Sequence, residues 1–185
     1  MRTMIRLSVV AMMLTLFTAT FFSQSAMAGD TAKLDRAVNN ALKKLCAKSY
    51  AARELSKIAK GVLVFPKVVK AGFFVGGQYG EGALLMEGKT VGYYNTVAAS
   101  YGLQAGAQKF GYVMFFMDTE SLAYLNKSEG WEIGVGPSIV IVDEGMAKTM
   151  SSSTAQQGIY AFIFNQKGLM AGIGLQGSKI SKINP

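Results

Sequence analysis

One stretch of the chain, residues 61–86, combines strand-forming residues with glycine and so limits what the protein can fold into. Its sequence is GVLVFPKVVKAGFFVGGQYGEGALLM, with five glycines between Gly72 and Gly82. Glycine in a helix interior costs about 1 kcal/mol relative to alanine, which disfavours a helix here. Strands tolerate glycine at bulges and where another backbone comes close. The stretch therefore predicts strands that bend or that lie directly against a neighbour.

The spacing of Gly80 and Gly82 indicates a close contact on one side of this stretch. Side chains alternate between the faces of a strand, so these two glycines leave one face bare. Tyr79, Glu81 and Ala83 line the other face. The bare face could lie against a helix of the same protein or against a ligand. The glycine pattern lacks the following helix of a dinucleotide site and the Gly-Lys-Ser/Thr of a phosphate loop, so a nucleotide is not favoured.

The rest of the chain after Gly61 carries the signals of a β protein with short strands and tight turns. Runs rich in Val, Ile, Phe and Tyr alternate with turn residues. The predicted strands are Val62–Phe65, Ala71–Gln78, Gly82–Met86, Thr90–Tyr94, Ser100–Gln108, Tyr112–Met117, Trp131–Gly136, Ser138–Val142, Gly158–Asn165 and Leu169–Gln176. Hairpin turns are predicted at Glu87-Gly88-Lys89 and Asn165-Gln166-Lys167-Gly168. Such strands favour a mostly antiparallel sheet, closed or folded on itself.

Two further segments are predicted within this region. Asp118 or Thr119 is placed to cap a short helix over Glu120–Leu125, with Leu122 and Leu125 facing inward. The serine-rich run Met150–Thr154 predicts a flexible loop.

The first 28 residues resemble a targeting signal rather than a part of the fold. Arg2 and Arg6 precede an apolar run from Leu7 to Phe22, and Ala26-Met27-Ala28 is a small-x-small cleavage site before Gly29. This pattern predicts a cleaved signal peptide and a periplasmic or secreted protein, with an uncleaved anchor as the alternative. The remaining residues, 29–185, suffice for one domain, with a helical segment over 31–60 and a mainly β region over 61–185.

The residue types that the chain lacks limit its chemistry. It contains one cysteine, Cys46, so no internal disulfide can form, and it contains no histidine. The absence of histidine removes the usual general base and the commonest metal ligand. Asp118 with Glu120, and Asp143 with Glu144, are the visible acidic pairs, and turn carboxylates explain them better than catalysis. We therefore expect no enzyme, no metal and no cofactor, and we expect Cys46 to be a small core residue.

The positive charge is concentrated in the segment from Lys33 to Lys70, which holds ten basic residues against Asp35 and Glu54. Its first part reads as helical, either as two helices, with Ser49 as the cap of the second and Gly61 as its stop, or as one helix kinked near Ser49. An apolar stripe at 3.6-residue spacing runs along the first helix. Its members are Leu34, Val38, Ala41, Leu42 and Leu45. On the second helix Ala51, Leu55 and Ile58 are apolar, and Arg53, Lys57 and Lys60 share a face.

A basic amphipathic segment suits an anionic membrane surface, where each basic residue contributes about 1 kcal/mol. The alternative, which the sequence favours equally, is that the apolar stripe packs on the sheet and the lysines form a solvated face. The predicted headgroup-binding residues are Lys43, Lys44, Lys48, Arg53, Lys57, Lys60, Lys67 and Lys70. The predicted export signal disfavours nucleic acid as the partner.

Four ordered motifs resemble the SYLF family, and the resemblance covers essentially the whole chain after the predicted signal. They are Lys60 to Pro66 (KGVLVFP), Lys70 to Gly82 (KAGF with GG and GEG), Ser100 to Gly106 (SYGLQAG), and Lys167 to Ser178 (KGLMAG with LQGS). The resemblance implies a lipid-binding module that recognises phosphoinositides in eukaryotic members, where an actin-binding activity is also attributed to it. It implies that the membrane contact is an amino-terminal amphipathic helix, here within Lys33–Lys60.

The sequence therefore predicts an α+β domain in which amino-terminal helices pack on a curved, glycine-rich, mostly antiparallel sheet or partly closed barrel. The predicted function is peripheral binding of anionic phospholipid or phosphoinositide-type headgroups. The alternative is an envelope scaffold that uses the same basic surface to bind a protein or a polysaccharide.

Overall fold

The computed structural model describes residues 30–127, 130–143, 146, 158–168 and 175–184, without the side chains of residues 74, 100–105 and 168. The predicted signal peptide, the serine-rich loop and most of the strand predicted at Leu169–Gln176 lie outside the described residues. Two compact units are present. Of the unit that ends at Lys33, only residues 30–33 are described, and there Lys33 Nζ lies 3.1 Å from Asp30 Oδ1. The unit from Leu34 to Asn184 carries the fold.

Two helices precede the sheet, as the sequence predicts. Helix α1 is helical throughout residues 30–48, and α2 is Tyr50–Ile58. Ser49 separates them because its hydroxyl accepts a hydrogen bond from Ala52 N at 3.2 Å, which caps α2. Helix α2 ends at Ala59, and Lys60 N then bonds to Phe116 O at 2.8 Å. The chain is thus joined to the sheet one residue before Gly61.

The two longest strands form one antiparallel hairpin. Strand β1 is Gly61–Met86 and β2 is Lys89–Phe116. The turn between them, Glu87-Gly88, has φ of 50° and 76°, which is the left-handed pair that a two-residue hairpin turn requires. The predicted turn is confirmed. The three strands predicted on each side of it are, however, continuous with one another, because residues such as Pro66 sit in bulges that bend a strand without ending it.

Strand β1 folds back on itself at its glycines. The backbone turns so sharply at Gly72 that a Cβ there would lie 2.7 Å from Val75 O. Beyond this bend, a Cβ on Gly80 would lie 2.9 Å from Lys67 O, and one on Gly82 would lie 2.7 Å from Phe65 Cδ1. The bare glycine face therefore lies against the first half of the same strand. Neither of the occupants considered from the sequence, a helix or a ligand, is correct.

The remaining elements extend the sheet on both sides of the hairpin. Helix α3 is Thr119–Ala123, followed by a 3₁₀ turn at Tyr124–Asn126. The strands after it are β3 Trp131–Glu132, β4 Ile139–Ile141, β5 Ile159–Gly168 and β6 Lys179–Ile183. Strand β5 pairs with the second half of β2, and β6 pairs with its first half. Strand β4 is parallel to β5, and β3 is antiparallel to β6. The result is a curled mixed sheet that forms a half-barrel, as the fold prediction requires.

The sheet has two apolar faces that pack against different partners. The inner face is aromatic and is lined by Phe65, Tyr112, Phe116 and Trp131, all of which are fully buried. The outer face carries smaller residues, and α1 and α2 cover part of it. Residues of β1 and β2 alternate between these faces, as the period of a strand requires.

One prediction about the carboxyl-terminal part is wrong, and one strand there was not predicted. The segment Asn165-Gln166-Lys167-Gly168 is not a hairpin turn, because β5 continues through it and Lys167 pairs with Lys109. Asn165 has φ of 55° at a point where the register shifts, so the turn-like residues form a bulge. Strand β6 was not predicted, since KISKI alternates lysine and isoleucine over only five residues.

Candidate functional site

The eight basic residues predicted to bind headgroups lie along α1, α2 and the start of β1. Seven of them are exposed, and Lys70 is half-buried. Lys43, Lys44 and Lys48 stand on α1, Arg53 and Lys57 on α2, Lys60 in the connection, and Lys67 and Lys70 on β1. The structure therefore confirms that these side chains are accessible, and whether they bind lipid stays a prediction. We call the exposed residues from Lys43 to Lys60 in this set the basic helical surface.

The apolar stripe of α1 packs on the sheet. Val38 and Ala41 are buried, and Leu34, Leu42 and Leu45 are partly buried against the same outer-face cluster. This cluster includes Val64 and Phe115 of the hairpin. The stripe is therefore already occupied, and the face that α1 presents to solvent is the lysine-bearing one.

Helix α2 is held in the same way. Ala51, Ala52 and Leu55 are buried against the outer face. Small residues at this contact allow the helix to approach closely. Leu55 adds the largest side chain of α2 to the contact.

The solvent face of α2 carries aromatic, basic and aliphatic groups together. Tyr50 is 60% exposed and Ile58 is also exposed. The Arg53 guanidinium lies 5.3 Å from the centre of the Tyr50 ring, within the range of a cation–π interaction. Lys57 Nζ is 2.7 Å from Glu54 Oε1, so this lysine is partly neutralised. The combination of a ring with cationic side chains is typical of surfaces that meet a membrane interface.

The other cations of the basic helical surface are not neutralised by nearby acids. Within the part of the chain that the structure describes, Lys43, Lys44, Lys48 and Lys60 have no carboxylate oxygen within 4.0 Å. Asp35, the one acid of this unit on α1, points to the sheet instead. It accepts hydrogen bonds from Thr90 Oγ1 at 2.8 Å and from Tyr93 OH at 3.1 Å. The acid thus anchors α1 and leaves the lysines uncompensated.

Asp118 is the capping carboxylate of α3. It caps α3 by accepting from Ser121 N at 2.7 Å, and it also accepts from Gly158 N at 2.6 Å. Desolvation by partial burial raises the pKa of Asp118, but the backbone hydrogen bonds outweigh it and the net shift is downward. Its predicted companion Glu120 is exposed. Asp143 accepts from Met146 N at 2.8 Å, and Glu144 lies outside the described residues.

Cys46 is half-buried between the two helices. Its Sγ lies 3.8 Å from Ala52 O, and desolvation raises the pKa of the thiol. A thiol with a raised pKa is a poor nucleophile. The prediction of a small core residue is not confirmed, because Cys46 is only half-buried and belongs to neither buried cluster of the sheet.

Two groups of residues were missed by the sequence reasoning. Gln78, Thr96, Gln108 and Tyr112 are buried in the sheet, although a strictly alternating pattern puts apolar residues there. Desolvation raises the pKa of Tyr112, and the nearby Thr96 hydroxyl offsets only part of that rise. Neither hydroxyl forms a hydrogen bond of ordinary geometry with the described residues. Burial of these polar groups was not detectable without knowing that β1 folds back.

The second missed group is apolar and exposed, and it lies on the outer face of the hairpin. Its members are Phe73, Val75, Tyr79 and Val97. The sequence signal for it was present, because residues 73, 75 and 79 share one face by alternation. The exposed apolar group was not predicted, because the interpretation of this strand considered only a partner for the opposite, glycine-bearing face.

One cavity of about 280 Å³ opens beside β4. Ile133, Pro137, Ile139, Leu175 and Gln176 are among the residues that line it, and none of the described lining residues has an ionisable side chain. Among the described residues, no group of three or more Cys, Asp or Glu is placed to hold a metal ion. No described helix is both long enough and apolar enough to cross a membrane.

Comparison with known protein families gives one match. Residues 97–184 match the family model described as "Ysc84: Las17-binding protein actin regulator". The match begins within the first half of β2 and runs through β6, so it includes α3 but neither α1, α2 nor β1. A search of curated proteins found no match. The basic helical surface is thus outside the matched residues.

Proposed function

This chain belongs to the SYLF family of binding domains, as residues 97–184 show. We propose that it is a non-enzymatic protein that binds anionic lipid headgroups peripherally. The proposed contact is the basic helical surface, together with Lys67 and Lys70 of β1. The proposed setting is the periplasmic side of a membrane, because residues 1–28 have the pattern of a signal peptide.

The observation that supports the proposal most is the uncompensated charge of the two helices. Lys43, Lys44, Lys48 and Lys60 are exposed and have no acid nearby among the described residues, while Asp35 is engaged by the sheet. Clustered exposed lysines cost a protein self-repulsion, and an anionic surface relieves it. Each such residue near a charged bilayer contributes about 1 kcal/mol.

The packing of α1 changes the mechanism that the family resemblance implied. An amphipathic helix that inserts its apolar stripe would first have to leave the sheet, exposing Val38, Leu42 and the outer-face residues under them. We therefore propose that the helices bind through their charged face while their stripes stay packed. Tyr50 and Ile58 are placed to contact the headgroup region from α2.

Vesicle sedimentation tests the proposal. The protein is mixed with phosphatidylcholine vesicles that either contain or lack phosphatidylglycerol, and the bound fraction is measured at rising salt. The screening length falls from about 10 Å at 0.1 M salt to about 3 Å at 1 M, so binding should fall steeply. Equal binding to both vesicle types would contradict the proposal.

A charge-matched pair of variants localises the contact. Lys43→Gln with Lys44→Gln removes two positive charges from α1 and is expected to weaken binding by about 30-fold, from about 1 kcal/mol each. Lys127→Gln with Lys182→Gln removes the same charge from exposed positions outside the basic helical surface and should change binding little. Equal losses in both variants would show that net charge alone acts. Retention on an envelope protein or polysaccharide without lipid would favour the scaffold alternative.

A further inference from the structure

The outer face of the hairpin continues beyond the helices as an open apolar surface. Tyr79 pairs with Val97, and Gly77 pairs with Ala99. Residues directly opposite each other in an antiparallel pair share one face of the sheet, and Val75 lies on that face by alternation from Tyr79. Val75 is 61% exposed, Tyr79 50% and Val97 45%. We call these three residues, with the exposed Phe73 next to the bend, the open apolar face.

The same strands are fully packed a few residues away. Ala83 and Leu85 lie on this face of β1 and are buried under the helices. The helices cover this face of β1 at Ala83 and Leu85 but not at Glu81 and Tyr79, which are exposed. The open apolar face is therefore a stretch of one sheet surface that its own helices leave uncovered. Large apolar groups side by side on a strand surface mark an interaction site.

Charge around this face indicates which partner it fits. Lys179 is the cross-strand neighbour of Val97 on β6, and Lys109 is the neighbour of Val69 on the β1 segment that leads to the bend. Both lysines are exposed, as is Lys67. The acid on this face, Glu81, accepts a hydrogen bond from Tyr79 OH at 2.6 Å and is outnumbered by these three lysines. An apolar centre with a lysine rim is complementary to an anionic lipid interface, in which lysines reach the phosphates while apolar groups enter the acyl boundary.

We propose that the open apolar face inserts into the interfacial layer of an anionic bilayer, with Val75 as its deepest side chain. The inference rests on the proposed function, because the basic helical surface brings the protein to the membrane. It adds a second element that the charged helices lack, a place where the protein enters the lipid. The bend at Gly72 directly precedes Phe73 and Val75, which are the two most exposed side chains of the open apolar face.

Tryptophan substitution tests the insertion directly. The chain has a single tryptophan, Trp131, which is buried and gives a constant background. Val75→Trp should show a blue-shifted emission with phosphatidylglycerol vesicles and quenching by brominated lipid. Val135→Trp is the matched control, because Val135 is 62% exposed but lies in the loop between β3 and β4. Its emission should not change.

A polar variant measures how much the face contributes. Val75→Glu should weaken binding to the anionic vesicles by at least about tenfold, from the lost apolar burial and the added negative charge. Val135→Glu adds the same charge elsewhere and should have a smaller effect. Circular dichroism of each variant checks that the sheet is intact.

The outcomes separate this inference from the proposed function. If the wild-type chain binds anionic vesicles but the Val75→Trp variant shows neither shift nor quenching, the inference is overturned and electrostatic binding stands. If the wild-type chain binds no vesicle, both fail. If the emission of the Val75→Trp variant shifts with protein concentration in the absence of lipid, the face is a contact between copies of the chain, which also overturns the inference.

Discussion

The inner and outer faces of the sheet are both apolar, but they are built from different residues and hold different things together. The inner face is filled by large rings, and Phe116 and Trp131 meet edge-on with centroids 6.1 Å apart. The contact between the outer face and the helices includes small residues on both sides, Ala51 and Ala52 of α2 and Ala83 of β1. The two faces therefore have different structural roles. The inner face stabilises the curled form of the sheet, whereas the outer face binds the helices that carry the basic helical surface.

Removing a ring from the inner face should have the largest effect. Phe116→Ala deletes a fully buried side chain from the centre of the aromatic core, and such changes cost about 3–5 kcal/mol. Urea unfolding should show the loss in a single transition with the helices and the sheet melting together. A loss below about 1 kcal/mol would mean that the inner face is not the main source of stability.

A change under α2 should cost less and act locally. Leu55→Ala removes the largest buried side chain of α2, and we expect about 2–3 kcal/mol, at the lower end for this substitution, because the neighbouring alanines can close the gap. Helical signal should then be lost at lower urea than the tertiary signal of Trp131. Coincident transitions would contradict the division between the two faces.

The glycines at which β1 folds back can be tested with a matched pair of alanine variants. Gly82→Ala places a Cβ against Val64 and 2.7 Å from Phe65 Cδ1, so overpacking should cost about 1–3 kcal/mol. Gly77→Ala meets only Ala98 O, at 3.9 Å, and should be neutral within about 0.5 kcal/mol. Equal free energies of unfolding for the two variants would show that strand propensity, and not the close contact, explains the glycines.

A smaller destabilisation is expected at Asp118, two residues after the end of β2. Asp118→Ala removes the cap of α3 and the acceptor for Gly158 N, which should cost about 0.5–2 kcal/mol at neutral pH. The pKa of Asp118 is lower in the folded protein, so its charge stabilises the fold above the unfolded pKa of about 3.9. That contribution is lost as pH falls through the folded pKa.

Asp118→Asn serves as the control for charge. It keeps a capping oxygen but cannot ionise, so its free energy of unfolding should depend less on pH than that of the wild type in the acid range. Identical pH profiles from thermal unfolding would show that the charge of Asp118 contributes nothing.

The sequence predicted the parts of this molecule that depend on local patterns. The stripe of α1, the Ser49 cap, the Glu87-Gly88 turn and the exposure of the lysines all follow from spacing over a few residues. The partner of Gly80 and Gly82 could not be predicted, because it is another part of the same strand brought back by the bend at Gly72. The turn-like residues 165–168 likewise form a bulge only because β2 continues alongside them.

The candidate site shows the same limit. Exposure of the basic side chains was predictable from helical periodicity, but the occupation of the α1 stripe by the sheet was not, since a stripe looks the same whether it faces a core or a membrane. The open apolar face was visible in the alternation of residues 73–79. Its importance depends on where the helices stop, and that is a property of the packing.

The long hairpin also bears on how the chain acquires its structure. Pairing that starts at the tight turn of Glu87-Gly88 can extend residue by residue, so most partners in β1 and β2 meet without closing a large loop. Strand β6 must instead reach back from residue 179 to residue 97. We expect the hairpin to form early by stepwise extension from its turn and the carboxyl-terminal strand to dock late. The edge of β2 that β6 occupies would then stay open for association with other chains until the last stage of folding.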